Sequence, residues 1–319
     1  MNLLIADKFE AEGIANLKSI GCSITQDADL SGQSLADALA GNECEVLIVR
    51  STKVTADMIS RAATLRLIIR AGSGYNTIDV QAAREKGIRV ANCPGMNSTA
   101  VAELALGLML ALDRRIVDNV NDLRRGVWAK KEYGKARGLK TRTLGIVGLG
   151  RIGYLIARRA HAFEMNLIYA DIVRNEEAEK ELGIARVELD ELLARADFVS
   201  LHVPANDSTK RMVNAGLFAK MKPTAFLINC SRGEVVDSAA LVSAIEAGQI
   251  AGAGLDVYEN EPGASDKEFN DPAGKCDRVY GTHHIGASTA QAQLAVADEV
   301  VRIIENYQRT GDVLNCVNA

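Results

Sequence analysis

The sequence predicts an α/β protein made of two Rossmann-like lobes, each built on a parallel sheet, and three observations predict it. Apolar runs of strand length alternate with segments of helical period nearly from end to end. These runs fall into two series, separated by a long helical stretch from Ser98 to about Arg124. One run, TLGIV, passes directly into a glycine-rich turn that opens a helix. At 319 residues the chain is comfortable for two domains.

Taken in order, the first series of strands is Leu3–Ala6, Ser23–Thr25, Val46–Val49, Leu67–Ile69 and Arg89–Ala91, with helical segments between them. The stretch from Ser98 carries apolar residues at 101, 104, 105, 108 and 112, one face of a helix. The second series is Thr143–Val147, Leu167–Ala170, Phe198–Leu201, Ala225–Asn229 and Gly252–Leu255, closing near Arg278–Tyr280. A last helix, about Thr289 to Gln308, leads to a short tail. With no Gly/Ser linker between the series, the expectation is two rigid lobes and a ligand-binding cleft between them.

The bulk composition excludes several classes. A chain that is 48% hydrophobic and 24% charged buries a substantial core, and a net charge of −4 argues against a nucleic-acid binder. The N-terminus, MNLLIADKFE, lacks the basic region of a signal peptide and reads as a first strand. The longest apolar stretch, Ala100 to Leu112, is broken by Glu103 and is too short to span a bilayer. Six scattered cysteines with no CxxC pair read as reduced thiols, which places the protein in the cytoplasm. No HxxxH or HExxH spacing is present, so no metal site is expected.

The most specific local signal is TLGIVGLGRIGYLIARRAHAF. After the strand come Gly148, Gly150 and Gly153 in GxGxxG spacing, with a helix from Arg151 to Ala162. The first glycine permits a tight turn, the second lets backbone approach a pyrophosphate, and the third lets helix and strand pack closely. The helix N-terminus favours the anion. The following strand ends in Asp171, 18 residues past Gly153 (171 − 153), where a carboxylate binds ribose hydroxyls and repels a 2′-phosphate. The expected cofactor is therefore NAD. Arg174, three residues further on, leaves a 2′-phosphate contact open.

Moving a hydride to a 2-oxo acid needs a cation for the carboxylate, an acid for the nascent alkoxide, and a group that tunes this acid. Three strand-end loops of the second series offer them: Arg232 in INCSRGEVVD, Glu261 in LDVYENEP and His284 in GTHHIGAST. Ligands of open parallel sheets bind at such ends. Each residue also has a plain reading: Arg232 paired with Asp237 or Glu234, Glu261 solvated beside Glu259 and Asp256. The residues alone leave His283 and His284 as alternatives.

Across these loops, and in VRSTKVT, RAGSGYNTID, NSTAVAELALGLML and HIGAST, the chain resembles the D-isomer-specific 2-hydroxyacid dehydrogenase family, and within it the phosphoglycerate branch. The likeness covers essentially the whole chain, and the steps of 29 (261 − 232) and 23 (284 − 261) fit the family's Arg, Glu and His order. The resemblance implies that His284 is the general acid/base, that Glu261 orients it and raises its pKa, and that Arg232 grips substrate. It implies that Ser73, Arg151, Ile152, Asp171, His202, Val203, Cys230, Ser231, Arg232, Asp256, His284, Gly286 and Ala287 line the NAD site. Proline is usual in the family where His283 stands. The lobes are then expected to be residues 98–285 for NAD and residues 1–97 with 286–319 for substrate.

Two arginines of the first series, Arg50 and Arg70, follow strands, while the turn holding Ser73, Gly74 and Asn76 is suited to a carboxylate. The arginines then suit a second anion, and a phosphate fits guanidinium well. The expected reaction is oxidation of 3-phosphoglycerate to 3-phosphohydroxypyruvate, the first step of serine biosynthesis. With the sequence ending at Ala319, the regulatory ACT domain frequent in that branch is not expected. The alternatives are a hydroxypyruvate or glyoxylate reductase of the same family, and a catalytically inactive NAD-sensing regulator. Pairing of the arginines with Glu45 or Asp79 is the plain reading of these positions. A homodimer or higher homo-oligomer is expected through the helix from Ser98, whose apolar positions exceed what one sheet face needs.

Overall fold

The computed structural model describes residues 1–41, 43–262 and 268–319. They divide into two compact units, Met1–Asn97 with Ser288–Ala319, and Ser98–Ala287. Among the described residues twelve strands form two sheets, and every adjacent pair within them is parallel.

The first unit holds β1 (Asn2–Ile5), β2 (Ser23–Gln26), β3 (Val46–Val49), β4 (Leu67–Arg70) and β5 (Arg89–Asn92), ordered β2-β1-β3-β4-β5. Both faces of this sheet are covered, which is why VLIV and LII are unbroken apolar runs instead of alternating ones. One face buries Leu4, Leu47, Val49, Ile68 and Val90 against Leu35, Leu39 and Met58. The other buries Leu3, Ile5, Val46 and Ile48 against Val296, Val300, Ile303 and Ile304 of the C-terminal helix, Ala290–Thr310. Each such aliphatic side chain contributes about 1.5–3 kcal/mol. That helix starts where Thr289 accepts the Ala292 N–H and stops at Gly311, whose φ of 76° an L side chain rarely adopts. The tail beyond it covers the β5 edge: Val317 donates to the Val90 carbonyl at 2.8 Å, and Asn318 bonds Val90 and Ile88.

The second unit holds β6 (Thr143–Val147), β7 (Asn166–Ala170), β8 (Ala185–Arg186), β9 (Phe198–Leu201), β10 (Phe226–Asn229), β11 (Gly252–Leu255) and β12 (Val279–Gly281). Their order is β12-β11-β10-β9-β6-β7-β8. The chain runs outward from β6 through β7 to β8 and then resumes on the other side of β6 at β9. Such a reversal opens a crevice at the carboxyl ends of the two central strands, the usual ligand position in open sheets. One face buries Leu144, Ile146, Tyr169 and Phe198 under Val101, Ala105, Met109 and Leu112. The other buries Ile168, Val199, Leu227 and Ala253 under Leu192, Leu241 and Ile245.

Several expected bounds need correction. The stretch from Ser98 to Arg124 is two helices, α1 (Ser98–Arg114) and α2 (Ile116–Arg124), broken at Arg115, whose φ of 48° is left-handed. The break is held by Arg115 pairing with Asp118 at 3.0 Å and Glu132 at 2.8 Å, its guanidinium over the Tyr133 ring. Strand β1 stops at Ile5, one residue before Ala6, although the Ala6 N–H still donates to the Ile48 carbonyl of β3 at 3.0 Å. Arg70 is the last residue of β4 instead of the first beyond it, since it still pairs in register with Val49 and Asn92. Strand β8 was not expected from the sequence at all. No helix among the described residues is long and apolar enough to cross a membrane.

Candidate active site

The glycine-rich turn sits beside the switch point, between the ends of β6 and β9. Gly148 has φ 91°, and a Cβ there would lie 2.7 Å from the His202 carbonyl oxygen. A Cβ at Gly153 would lie 2.2 Å from the Gly148 carbonyl oxygen, so only glycine lets helix α3 (Arg151–Ala162) pack this close. A Cβ at Gly150 would meet nothing within 4 Å. Gly150 is exposed, caps α3 and has no side chain to satisfy the first helical N–H groups. Three glycines thus do three different jobs, and the open one lies where a pyrophosphate approaches a helix N-terminus. The residues fit a dinucleotide. Arg151 is exposed and Ile152 half-buried at the start of α3.

Asp171 directly follows β7, beside this turn. Its Oδ2 accepts the Leu149 N–H at 2.6 Å and its Oδ1 accepts the Val173 N–H at 3.0 Å, which ties the acid to the glycine loop. The next residue, Ile172, is 97% exposed, an apolar side chain held out beside the acid. Sequence reasoning missed it, and its only signal is an isoleucine directly after the strand-end aspartate. Val203 is half-buried after β9. The His202 ring is turned inward: its Nε2 bonds Ser200 Oγ at 2.7 Å, its Nδ1 is buried with no partner among the described residues, and burial pushes its pKa down to about 3. His202 is therefore a neutral side chain that packs, while its main chain abuts Gly148.

The loops after β10, β11 and β12 converge. His284 Nδ1 lies 2.8 Å from Glu261 Oε2, and Glu261 Oε1 accepts the Tyr258 N–H at 3.0 Å. This hydrogen bond raises the His284 pKa above 6.5 against the opposing effect of burial. Burial would raise Glu261, but the bond and charge of His284, with Arg232 nearby, hold it below the ordinary carboxylate value. His284 itself has φ 52°, a backbone conformation kept in place by its N–H donating to the Asp256 carbonyl at 2.8 Å. The Asp256 carboxylate, 2% exposed, accepts Thr282 Oγ1 at 2.6 Å and the N–H groups of Ile285 and Gly286 at 2.8 Å each. Asp256 thus moulds the histidine loop, and Ala287 follows it half-buried. His283 is exposed and makes no such contact among the described residues.

Arg232 follows β10 in a turn organised by Asn229, which is fully buried. Asn229 accepts from Ser231 N–H and Oγ and donates to the Arg232 carbonyl at 3.0 Å. Sequence reasoning missed Asn229, although an asparagine closing a strand before such a turn is a readable signal. Arg232 Nη1 donates to the Ser231 carbonyl at 2.7 Å, and Asp237 is spent capping a helix, so the pairing with Asp237 does not occur. Gly233 was also missed: a Cβ there would fall 1.8 Å from the Tyr258 carbonyl oxygen, so the Arg232 and Glu261 loops touch backbone to backbone. Glu259 pairs with Arg211, leaving Glu261 to the histidine. Cys230 is buried, and burial pushes its thiol pKa up, away from reactivity.

In the first unit, Arg50 follows β3 with its N–H donating to Asp7 Oδ2 at 2.6 Å, and no carboxylate among the described residues pairs with its guanidinium. Asp7 also accepts Ser51 and Thr52, so this loop is held by its backbone and leaves the arginine side chain available. The Arg70 guanidinium lies over Gly72, where a Cβ would fall 1.6 Å from Nη1. Glu45 accepts the Asn2 N–H and Asp79 caps a helix. Ser73 Oγ donates to Asn97 at 2.8 Å; Gly74 is half-buried and Asn76 exposed.

Comparison with known proteins places this geometry. The sequence profile described as "D-isomer specific 2-hydroxyacid dehydrogenase, NAD binding domain" matches residues 106–286. A D-3-phosphoglycerate dehydrogenase of Archaeoglobus fulgidus is 38% identical over 100% of this chain, which spans 59% of that protein's length. A hydroxypyruvate reductase of Thermotoga maritima is 45% identical over 82% of this chain and 84% of its own. Among solved structures, D-lactate dehydrogenase from Aquifex aeolicus, complexed with NAD and lactic acid, superposes with a TM-score of 0.83 at 29% identity, covering 100% of this chain and 99% of that one. The chain belongs to the D-isomer specific 2-hydroxyacid dehydrogenase family.

Proposed function

We propose that this chain is an NAD-dependent D-2-hydroxyacid dehydrogenase whose substrate is 3-phosphoglycerate. The observation that carries the dehydrogenase reading is the His284–Glu261 pair at 2.8 Å, set on strand-end loops of the unit that bears the glycine turn. With Nδ1 engaged by the carboxylate, Nε2 is left for substrate. In oxidation Nε2 takes the hydroxyl proton; in reduction the imidazolium returns it to the forming alkoxide. Gly148, Gly150, Gly153 and Asp171, with Arg151, Ile152, Val203 and the 230–232 and 286–287 backbones, would hold NAD, which would supply the hydride acceptor. Arg232 binds the substrate carboxylate as a fork. The chemistry asks nothing of a metal.

For the substrate, similarity to phosphoglycerate dehydrogenases along the whole of this chain, though over 59% of the relative's length, and the available Arg50 guanidinium support a phosphate, with Arg70 as its second cation and Ser73, Gly74 and Asn76 for the carboxylate. The hydroxypyruvate reductase reading is supported by 45% identity to the Thermotoga protein along most of both chains. A side-by-side assay of 3-phosphohydroxypyruvate, hydroxypyruvate and glyoxylate with NADH decides between them. The highest kcat/KM for the phosphorylated acid supports the first reading, and a higher value for either other acid replaces it with the second.

We also place the protein in a reducing cytoplasm and assign it a homodimer. Six cysteines without a disulfide among the described residues support the first. The second rests on α2 and its exit, where Ile116, Val117, Val120, Leu123, Val127 and Trp128 are exposed. The apolar positions of α1 are largely buried within its own unit, so the surplus lies on α2 instead. A monomer in light scattering at micromolar concentration would remove the dimer.

A further inference from the structure

Two arginines lie near the strand-end acid Asp171, and only one of them, Arg174, is tied up by carboxylates. Arg186, on β8, donates Nη2 to the Asp171 carbonyl at 2.8 Å. Arg174 is held by Glu179, in helix α4 (Glu176–Leu182): Nε lies 3.1 Å from each carboxylate oxygen and Nη2 lies 2.7 Å from Oε2. Glu176 adds a weaker contact at 3.7 Å. The glutamate is itself anchored. Tyr169, fully buried in β7, donates its hydroxyl to Glu179 Oε1 at 2.7 Å, and that hydroxyl accepts the Asn175 N–H at 2.9 Å. Only 18% of the Glu179 side chain is exposed, against 58% for Arg174. A core tyrosine therefore fixes the glutamate, and the glutamate fixes the arginine. A fork-shaped pair of this kind loses less to side-chain disorder than an ordinary surface ion pair.

We propose that Glu179 is a specificity-determining residue for the cofactor: by clamping Arg174 it withholds that guanidinium from a 2′-phosphate. Discrimination against NADP then draws on two carboxylates, Asp171 by repulsion and Glu179 by sequestering Arg174. The inference rests on the reading of Asp171 as the ribose-binding acid. It also explains why an arginine three residues past that acid is compatible with an NAD enzyme.

The test is equilibrium binding of NADH and NADPH, followed by nucleotide fluorescence, and needs no substrate. The variants are Asp171→Ser, the same with Glu179→Gln, and the same two with Arg174→Gln. Glutamine keeps an acceptor for Tyr169, so the clamp is loosened without orphaning a buried hydroxyl. Relative to Asp171→Ser alone, adding Glu179→Gln should tighten NADPH about three- to tenfold, the size of one exposed charge-assisted contact, with NADH within about twofold. Adding Arg174→Gln should abolish that gain. Glu179→Asp, which keeps the charge but shortens the arm, should shift NADPH in the same direction as Glu179→Gln. Unchanged NADPH affinity, equal gains for both nucleotides, or a gain that survives Arg174→Gln would overturn the proposal. A wild-type NADH-to-NADPH ratio in Asp171→Ser alone would instead fault the reading of Asp171, while the Glu179 comparison still gives its own answer.

Discussion

Gly233→Ala tests the site through its backbone instead of its functional side chains. The added Cβ would lie 1.8 Å from the Tyr258 carbonyl oxygen, 2.1 Å from its carbon and 2.8 Å from the Glu259 nitrogen. All three are main-chain atoms, so no rotamer change relieves the clash. To restore a 3.0 Å contact the two loops must part by at least 1.2 Å (3.0 − 1.8). The Tyr258 N–H is what fixes Glu261 at 3.0 Å, so the displacement passes to the carboxylate and to its 2.8 Å bond with His284. On the other side it moves Arg232. Misplacement of about 1 Å typically costs about 10²-fold in rate, and overpacking of this kind costs about 1–3 kcal/mol in stability. For a unit of this size each kcal/mol lowers the melting temperature by about 2–4 °C. The expected variant is folded, melts several degrees early and turns over about a hundredfold more slowly. Gly107→Ala, where a Cβ meets nothing within 4 Å, is the control and should gain about 0.5–1 kcal/mol from helix propensity. Wild-type turnover and melting in Gly233→Ala would refute the claim that these loops are set by that contact.

Four further outcomes follow from the same geometry. His284→Ala should lose about 10² to 10⁴ in turnover while still binding NADH, and His283→Ala should lose little; equal losses would reassign the role. Because hydrogen bonding to Glu261 raises the His284 pKa, oxidation should climb and reduction should fall as pH passes through that raised value. Glu261→Gln should move both midpoints to lower pH, toward the ordinary 6.5, and a profile that stays put would mean that the pair does not govern proton transfer. The pair's contribution to stability has its own sign: it is present above the unfolded glutamate value near 4.3, fades as pH falls through the lowered Glu261 value, and is lost as pH rises through the raised His284 value. Arg50→Ala should cost about tenfold or more with a phosphorylated acid and little with hydroxypyruvate; equal damage to both would make this arginine structural.

How far the sequence reveals this molecule depends on which interactions are local. Strands β3, β6, β9 and β11 are readable to the residue because burial on both faces demands an unbroken apolar or small-residue run between turn signals. The helix break at Arg115 is not. LDRRIVDN contains neither glycine nor proline, and the left-handed residue, which costs on the order of 1–2 kcal/mol, is held by Glu132, 17 residues away, and by the Tyr133 ring. Strand β8 is two exposed residues, so it leaves no hydrophobic trace at all.

The same distinction runs through the site. GxGxxG is visible because its three glycines answer to contacts within one strand–turn–helix unit, and each kind of contact has a known spacing. Gly233, by contrast, is a glycine only because of Tyr258, a residue of the neighbouring loop, and no local pattern marks it. His284 over His283 belongs to this second class. What separates the two adjacent histidines is a left-handed backbone at 284, imposed by the Asp256 carboxylate and carbonyl from the end of the adjacent strand, which turns one ring to Glu261 and leaves the other in solvent. Asp256 is thus the residue on which the choice rests. Asp256→Asn exchanges one acceptor oxygen for a donor facing the N–H groups of Ile285 or Gly286. If the loop is set from that carboxylate, the variant should lower turnover at least tenfold and shift the His284 midpoint downward, with NADH binding also weakened. Retention of the wild-type pH profile in Asp256→Asn would show that the histidine loop holds its form without it.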